Sequence, residues 1–238
     1  MSSTPLLKAL TRAGIGPRRR LADAIREGRV TVNGTVAEDF RQPVDTATDH
    51  ITVGGQPVNL KPPPAVYLLM NKPAGVLSTT RDTRGERTVI DLLPPRYRRP
   101  GLYPVGRLDK ASTGLLLLTN DGELTYRLTH PRFEHEKEYR VQLARRLEPE
   151  QKGQLERGIK LEDGLTYPAV VREAAAPTPS YHITIHEGRK RQIRRMFQSL
   201  GHRVLSLQRV RLGSLALGNL KEGEVRELSH REVRALRG

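Results

Sequence analysis

Three consecutive prolines, Pro62-Pro63-Pro64, follow Lys61 and constrain this chain more than any other feature. Each proline fixes its own φ and lacks an amide donor, so the run fits neither a helix interior nor a central strand. It reads as a short, stiff linker that divides residues 1–60 from residues 61–238. A length of 238 residues suits two unequal domains. The smaller, near 60 residues, can bury only a modest core.

Charge divides unevenly across that boundary. The chain holds 41 Lys and Arg against 26 Asp and Glu, a net +15, and 32 of the 41 cations are Arg. Residues 1–60 carry eight cations and six acids, so their net charge is only +2 and the larger piece holds +13. The small piece is nonetheless polarised. Lys8, Arg12, Arg18, Arg19, Arg20, Arg26 and Arg29 come first, and Glu38, Asp39, Asp45 and Asp49 come after. Guanidinium groups offer a planar donor fork that suits phosphate oxygens, which points to a nucleic acid rather than a purposeless basic surface. With aromatics at 4%, an extended platform of base-stacking rings is not expected.

Absences narrow the chemistry. The chain has no Cys, which excludes disulfides, thiolate nucleophiles and Cys-ligated metal sites. It also lacks a phosphate-binding Walker loop, a G-x-G-x-x-G fingerprint, a G-x-S-x-G elbow and an H-E-x-x-H motif. No signal-peptide core or long apolar span is present, so a cytoplasmic protein that does not enter membranes is expected.

In the first piece, Leu6, Leu7 and Leu10 form a helical stripe, and Leu21, Ala24 and Ile25 form a second within Arg18–Glu27. Val30 and Val32 alternate up to Asn33-Gly34, a hairpin signal, and Ile51 and Val53 suggest a further strand. In the second piece, strands are expected over Val66–Met70, Leu115–Leu118, Glu138–Leu143, Tyr181–Ile185 and within Val204–Leu217. Helices are expected over Pro149–Arg157 and Arg189–Leu200. The pattern implies an α+β fold: a small α/β module joined to a mixed, mostly antiparallel sheet domain.

Two segments stand out chemically. Asp109 lies in a glycine-flanked turn between the apolar Leu102–Val105 stretch and the Leu115–Leu118 run. A carboxylate at the edge of a buried sheet needs a cation nearby to stay charged. The plainer possibility is that Asp109 caps its own turn through the amides of Ala111 or Ser112. In Glu187–Val204, Ile193, Met196, Phe197 and Leu200 form one stripe, while Arg191, Arg194 and Arg195 form a cationic ridge beside Lys190. That ridge is either a phosphate contact or an ordinary solvated face.

The run PRRRLADAIREGRVTVNG followed by DHITVGG resembles the RNA-binding module named after ribosomal protein S-four, over residues 4–58. MNKPAGVLST, GRLDKASTGLLLLTNDGEL, HEKEYRV and EGRKRQIRRMFQSLGHRV, in that order, resemble the successive motifs of the RsuA-type pseudouridine synthases. The likeness runs from about Val66 through Leu228. It implies isomerisation of uridine to pseudouridine in ribosomal RNA, with no cofactor and no metal. Asp109 is then the essential carboxylate, Tyr139 the ring stacked on the target base, and Arg194 the basic partner of that carboxylate. RNA contacts are expected from Arg18, Arg19, Arg20, Arg26, Arg29, Arg107, Lys190, Arg191 and Arg195. The phrases TGLLLLTNDGE and RQIRRMFQSLG are closer to the branch acting on large-subunit (23S) than on small-subunit (16S) ribosomal RNA. The alternatives are that small-subunit substrate, a non-catalytic RNA-binding assembly factor, and an RNA methyltransferase, for which no nucleotide-cofactor loop is found. A monomer is expected.

Overall fold

A computed structural model describes residues 3–238 of the chain. Two compact units emerge, one of Met1–Val66 with Tyr97–Leu102 and Thr119–Gly122, the other of Tyr67–Arg96, Tyr103–Leu118 and Glu123–Gly238.

In the first unit, α1 (Leu6–Arg12) and α2 (Arg18–Arg26) bury the two anticipated stripes. They pack on a four-stranded sheet built from β1 (Val30–Val32), β2 (Thr35–Val36), β3 (Ile51–Val53) and β4 (Gln56–Val58), in the order β2-β1-β3-β4. The β1–β2 hairpin turns through Asn33 and Gly34 at φ 50° and 84°, the paired left-handed geometry that Asn-Gly tolerates best. Leu6, Leu10, Leu21, Ile25, Val30 and Ile51 meet in one core. Each stripe therefore does what its period requires. Arg18, Arg19 and Arg20 are left exposed on the opposite side of α2.

The second unit is organised by β5 (Tyr67–Lys72), β6 (Thr113–Thr119), β7 (Lys137–Leu143), β8 (Val170–Glu173), β9 (Ser180–Ile185), β10 (Val204–Leu212) and β11 (Val225–Glu227). Their order is β8-β9-β7-β10-β6-β5-β11, with Leu215–Ala216 beside β10 and Tyr103–Pro104 beside β6. Among the described residues this makes a nine-stranded sheet. The pairings β8–β9, β9–β7, β7–β10 and β5–β11 are antiparallel, whereas β10 meets β6 in parallel. Leu115, Leu116, Leu117 and Leu118 are all fully buried, which explains a four-Leu run without alternation: β6 is covered on both faces. Helices α3 (Gly122–Thr129), α4 (Pro149–Arg157), α5 (Gln192–Ser199) and α6 (His230–Arg237) complete the unit.

One expected helix is shorter than its pattern. The stretch Arg189–Leu200 becomes a turn followed by α5, because Arg191 adopts a left-handed conformation at φ 51° and serves as the N-cap residue. Helix α3 carries no strong sequence signal of its own. Helix α6 is set by the Ser229–Glu232 capping box, in which the Ser229 hydroxyl accepts from the Glu232 amide at 3.2 Å.

Candidate active site

Several chain segments converge on one cavity of about 740 Å³ in the second unit. The loop before β6 supplies Arg107 and Asp109, β7 supplies Lys137 and Tyr139, β10 supplies Leu207 and Arg209, and the turn before α5 supplies Lys190 and Arg191.

The Asp109 loop is pinned from two sides. The Ser78 hydroxyl donates to the Leu108 carbonyl at 3.0 Å and accepts from the Leu108 amide at 3.2 Å. From the end of β5, Lys72 Nζ donates to the carbonyls of Pro73 (2.7 Å), Ser112 (2.8 Å) and Lys110 (3.3 Å). The Gly75 amide also donates to Lys110 at 2.8 Å. Beyond the loop, Gly114 has φ 101°, and a Cβ there would lie 2.3 Å from the Arg209 carbonyl oxygen. Only glycine lets β6 approach β10 this closely.

With its backbone so held, the partly buried Asp109 keeps its carboxylate uncommitted: among the described residues no salt bridge or side-chain hydrogen bond engages it. The self-capping possibility fails, since the Ser112 amide donates to the Asp109 backbone carbonyl at 2.9 Å. The expected direct pairing with Arg194 is also corrected. Arg194 Nη2 donates to the Ala111 carbonyl at 3.4 Å and Nη1 to the Val204 carbonyl at 3.3 Å. Burial and the nearby Arg191 push Arg194 below its ordinary value, while the field of Asp109 works the other way. Arg194 thus ties the Asp109 loop to β10 and acts on the carboxylate through space.

Lys72 is enclosed completely. Burial pushes it down to about 8, against the fields of Glu222 and Asp109, which favour its charge. A sign follows. Between about pH 8 and the ordinary 10.5, the unfolded chain holds a proton that the folded protein has lost, so this group adds stability as pH rises. Urea denaturation across that window should show the rise in the native chain and its loss in Lys72→Met. An unchanged slope in the variant would show that the carbonyl cage keeps Lys72 charged throughout.

Tyr139 is 8% exposed and lies opposite Ile183 on β9 and Arg209 on β10. The β7–β10 register shifts between Glu138 and Tyr139, so Val210 is left without a partner. Plain alternation would put Arg209 on the face of Arg211, which pairs with Glu138 at 2.9 Å on the other side of the sheet. The bulge inverts that order and turns Arg209 toward Tyr139 and the cavity.

The cationic ridge of α5 is not continuous. Arg195 makes a bidentate pair with Asp163, at 2.9 and 2.8 Å, from the hairpin Lys160–Leu161/Gly164–Leu165. Arg195, expected to contact RNA, is thus already engaged by an acid distant in sequence. Arg107, Lys190 and Arg191 do line the cavity and are exposed or nearly so. Arg18, Arg19, Arg20, Arg26 and Arg29 belong to the first unit; Arg26 pairs with Asp23 at 2.8 Å and Arg29 with Glu27. Sequence reading passed over Lys72, Lys137 and Arg209. Lys72 had a usable signal, a charge closing the apolar strand YLLMNK, and Lys137 shares a face with Tyr139 two residues on.

Comparison with known proteins agrees with this geometry. A family profile described as RNA pseudouridylate synthase matches residues 66–199, and an S4 domain profile matches residues 4–51. The chain is 42% identical over 236 residues to the ribosomal large subunit pseudouridine synthase B of Bacillus subtilis, covering 98% of this chain and 95% of that protein. It is 39% identical to the protein of the same name from Vibrio cholerae, covering 99% and 74%. A crystal structure of a pseudouridylate synthase superposes with a TM-score of 0.70 at 31% identity, covering 97% of this chain and 98% of that one.

Proposed function

The chain belongs to the RNA pseudouridylate synthase family, and from that premise we propose that it isomerises uridine in large-subunit ribosomal RNA. The observation that carries the reading is an uncommitted carboxylate, Asp109, held in one cavity with the ring of Tyr139 under a cationic rim. The substrate follows from the large-subunit synthases to which almost the whole chain is similar.

In this reading the target uridine leaves its stack, at a cost of a few kcal/mol, and enters the cavity. Stacking on Tyr139 returns about 1–3 kcal/mol, and phosphate contacts from Arg107, Lys190 and Arg191 supply more. Asp109 then acts on the ribose or the base as nucleophile or proton acceptor, with Arg194 maintaining positive charge behind its loop. Among the described residues no helix is long and apolar enough to cross a membrane. A ribosomal RNA substrate supports a cytoplasmic location. Mapping pseudouridines in both ribosomal RNAs, with and without the protein, tests the assignment. Loss of one large-subunit position supports it, and loss confined to the small subunit redirects it.

We further assign residues 1–60 to holding RNA and residues 61–238 to the chemistry. Replacing Arg18, Arg19 and Arg20 together by Ala removes three exposed cations without disturbing the buried face of α2. The affinity for a ribosomal RNA fragment should fall, and the slope of log affinity against log salt should flatten by about two to three. Single-turnover conversion of saturating RNA should stay near the wild-type rate. An unchanged salt slope would remove α2 from the RNA contact.

A further inference from the structure

The cavity floor carries more positive charge than the reading above uses. Arg209 is 3% exposed and lines the cavity, yet among the described residues no carboxylate pairs with it. Its Nε donates to the Leu115 carbonyl at 2.7 Å, and its buried Nη2 has no hydrogen-bond partner. Lys137 lies on the same sheet face, two residues before Tyr139, and lines the same cavity. Its Nζ donates only to the carbonyls of His135 (3.0 Å) and His186 (3.5 Å), which leaves one N–H free. The acid whose field acts on it, Glu187, is already held by Arg189 at 2.9 Å, Gln192 at 2.6 Å and the Tyr167 amide at 3.0 Å. Burial and the field of Arg209 lower Lys137 from its ordinary value. Two cations so placed repel each other and cost stability unless an anion comes to them during the reaction.

We propose that Lys137 and Arg209 form an anion subsite that stabilises the uracil base while it is detached from the ribose. The inference rests on the isomerase reading above. Breaking the C1′–N1 bond leaves its electron pair on the base, so negative charge spreads over O2 and O4. The Asp109 carboxylate meets the matching positive charge on the sugar, by bonding to C1′ or by taking a ribose proton. The turned base then gives an electron pair from C5 to C1′ as the Asp109–C1′ bond breaks or as Asp109 returns the ribose proton, and it loses the C5 proton and gains one at N1. Atoms and charge balance. Fixed donors aimed at charge that exists only between these steps act like an oxyanion hole and need no reorganisation. Lys137 and Arg209 face Tyr139, so a base stacked on that ring has its carbonyl edge within their reach.

The test compares two full-length substrates of the native sequence, one with uridine and one with 5-fluorouridine at the target position. Fluorine withdraws electron density and stabilises the base anion by itself. Single-turnover conversion of the uridine RNA should fall by about 10²–10³-fold in Arg209→Met and in Lys137→Met. On the 5-fluorouridine RNA, whose C5 has no proton to release, the rate is read as consumption of the original 5-fluorouridine through C1′–N1 cleavage, and its loss should be at least about tenfold smaller. Lys137→Arg should keep most of the wild-type rate, and RNA affinity should hardly change. Partial unfolding of a variant lowers both rates equally, so their ratio reads the subsite even where a melting curve shows damage. Equal losses on the two substrates, or losses confined to RNA affinity, would overturn the proposal. If the wild-type chain converts neither RNA, the isomerase reading itself falls.

Discussion

Asp109→Asn is expected to lower pseudouridine formation by roughly 10⁴-fold while leaving ribosomal RNA binding nearly unchanged. Asn keeps the size of the side chain and removes the anionic oxygen, so it cannot act as nucleophile or proton acceptor. The loop should not move. Its position is set by Ser78, Lys72 and Gly75 bonding to the backbone of Leu108, Lys110 and Ser112, none of which involves the Asp109 carboxylate. Binding should survive for a second reason, since the change removes a charge that repels phosphate. Single-turnover assays on ribosomal RNA, with affinity measured alongside, check both halves. Wild-type rates in the variant would return Asp109 to a structural role.

Tyr139→Ala should reduce conversion by about 10²–10³-fold and destabilise the fold by about 3 kcal/mol. The ring does two jobs, and the two losses have separate signatures. It is mostly buried between β9 and β10, so truncation leaves a void in the sheet face. Its accessible part lines the cavity, where an extruded base would stack. Tyr139→Phe separates the effects. It retains packing and stacking, so stability and RNA affinity should match the native chain. A rate loss in Tyr139→Phe without loss of stability or RNA affinity would then report the hydroxyl taking part in proton transfer. Native single-turnover rates for Tyr139→Ala, in the fraction that remains folded, would reduce Tyr139 to a core residue.

Much of the architecture was legible because periodicity survives folding. The stripes of α1 and α2, the Asn-Gly hairpin and the unalternating Leu115–Leu118 strand all follow from local rules of burial and backbone conformation. The helix Pro149–Arg157 was marked by proline at its first turn and a capping box. Its neighbours were less visible. Helix α5 was overextended at its start, because nothing in the spacing of Arg189–Arg191 announces a left-handed residue. Helices α3 and α6 are short, and their apolar positions are few.

The sequence by itself determined which residues the proposed chemistry rests on: Asp109 and Tyr139, singled out through the family resemblance, and arginine in great excess. What each arginine does was decided only by tertiary structure. Arg195 looked free until a hairpin 32 residues upstream brought Asp163 to its fork, and Arg194 was claimed by the carbonyls of Ala111 and Val204. Arg209 shows the physical reason most clearly. Alternation along β10 assigns it to the face of Arg211, and a single unpaired residue, Val210, moves it to the other. A strand's period is a property of one chain segment, but register is a property of two, so a bulge that redirects a buried charge into the cavity leaves no trace in the local pattern.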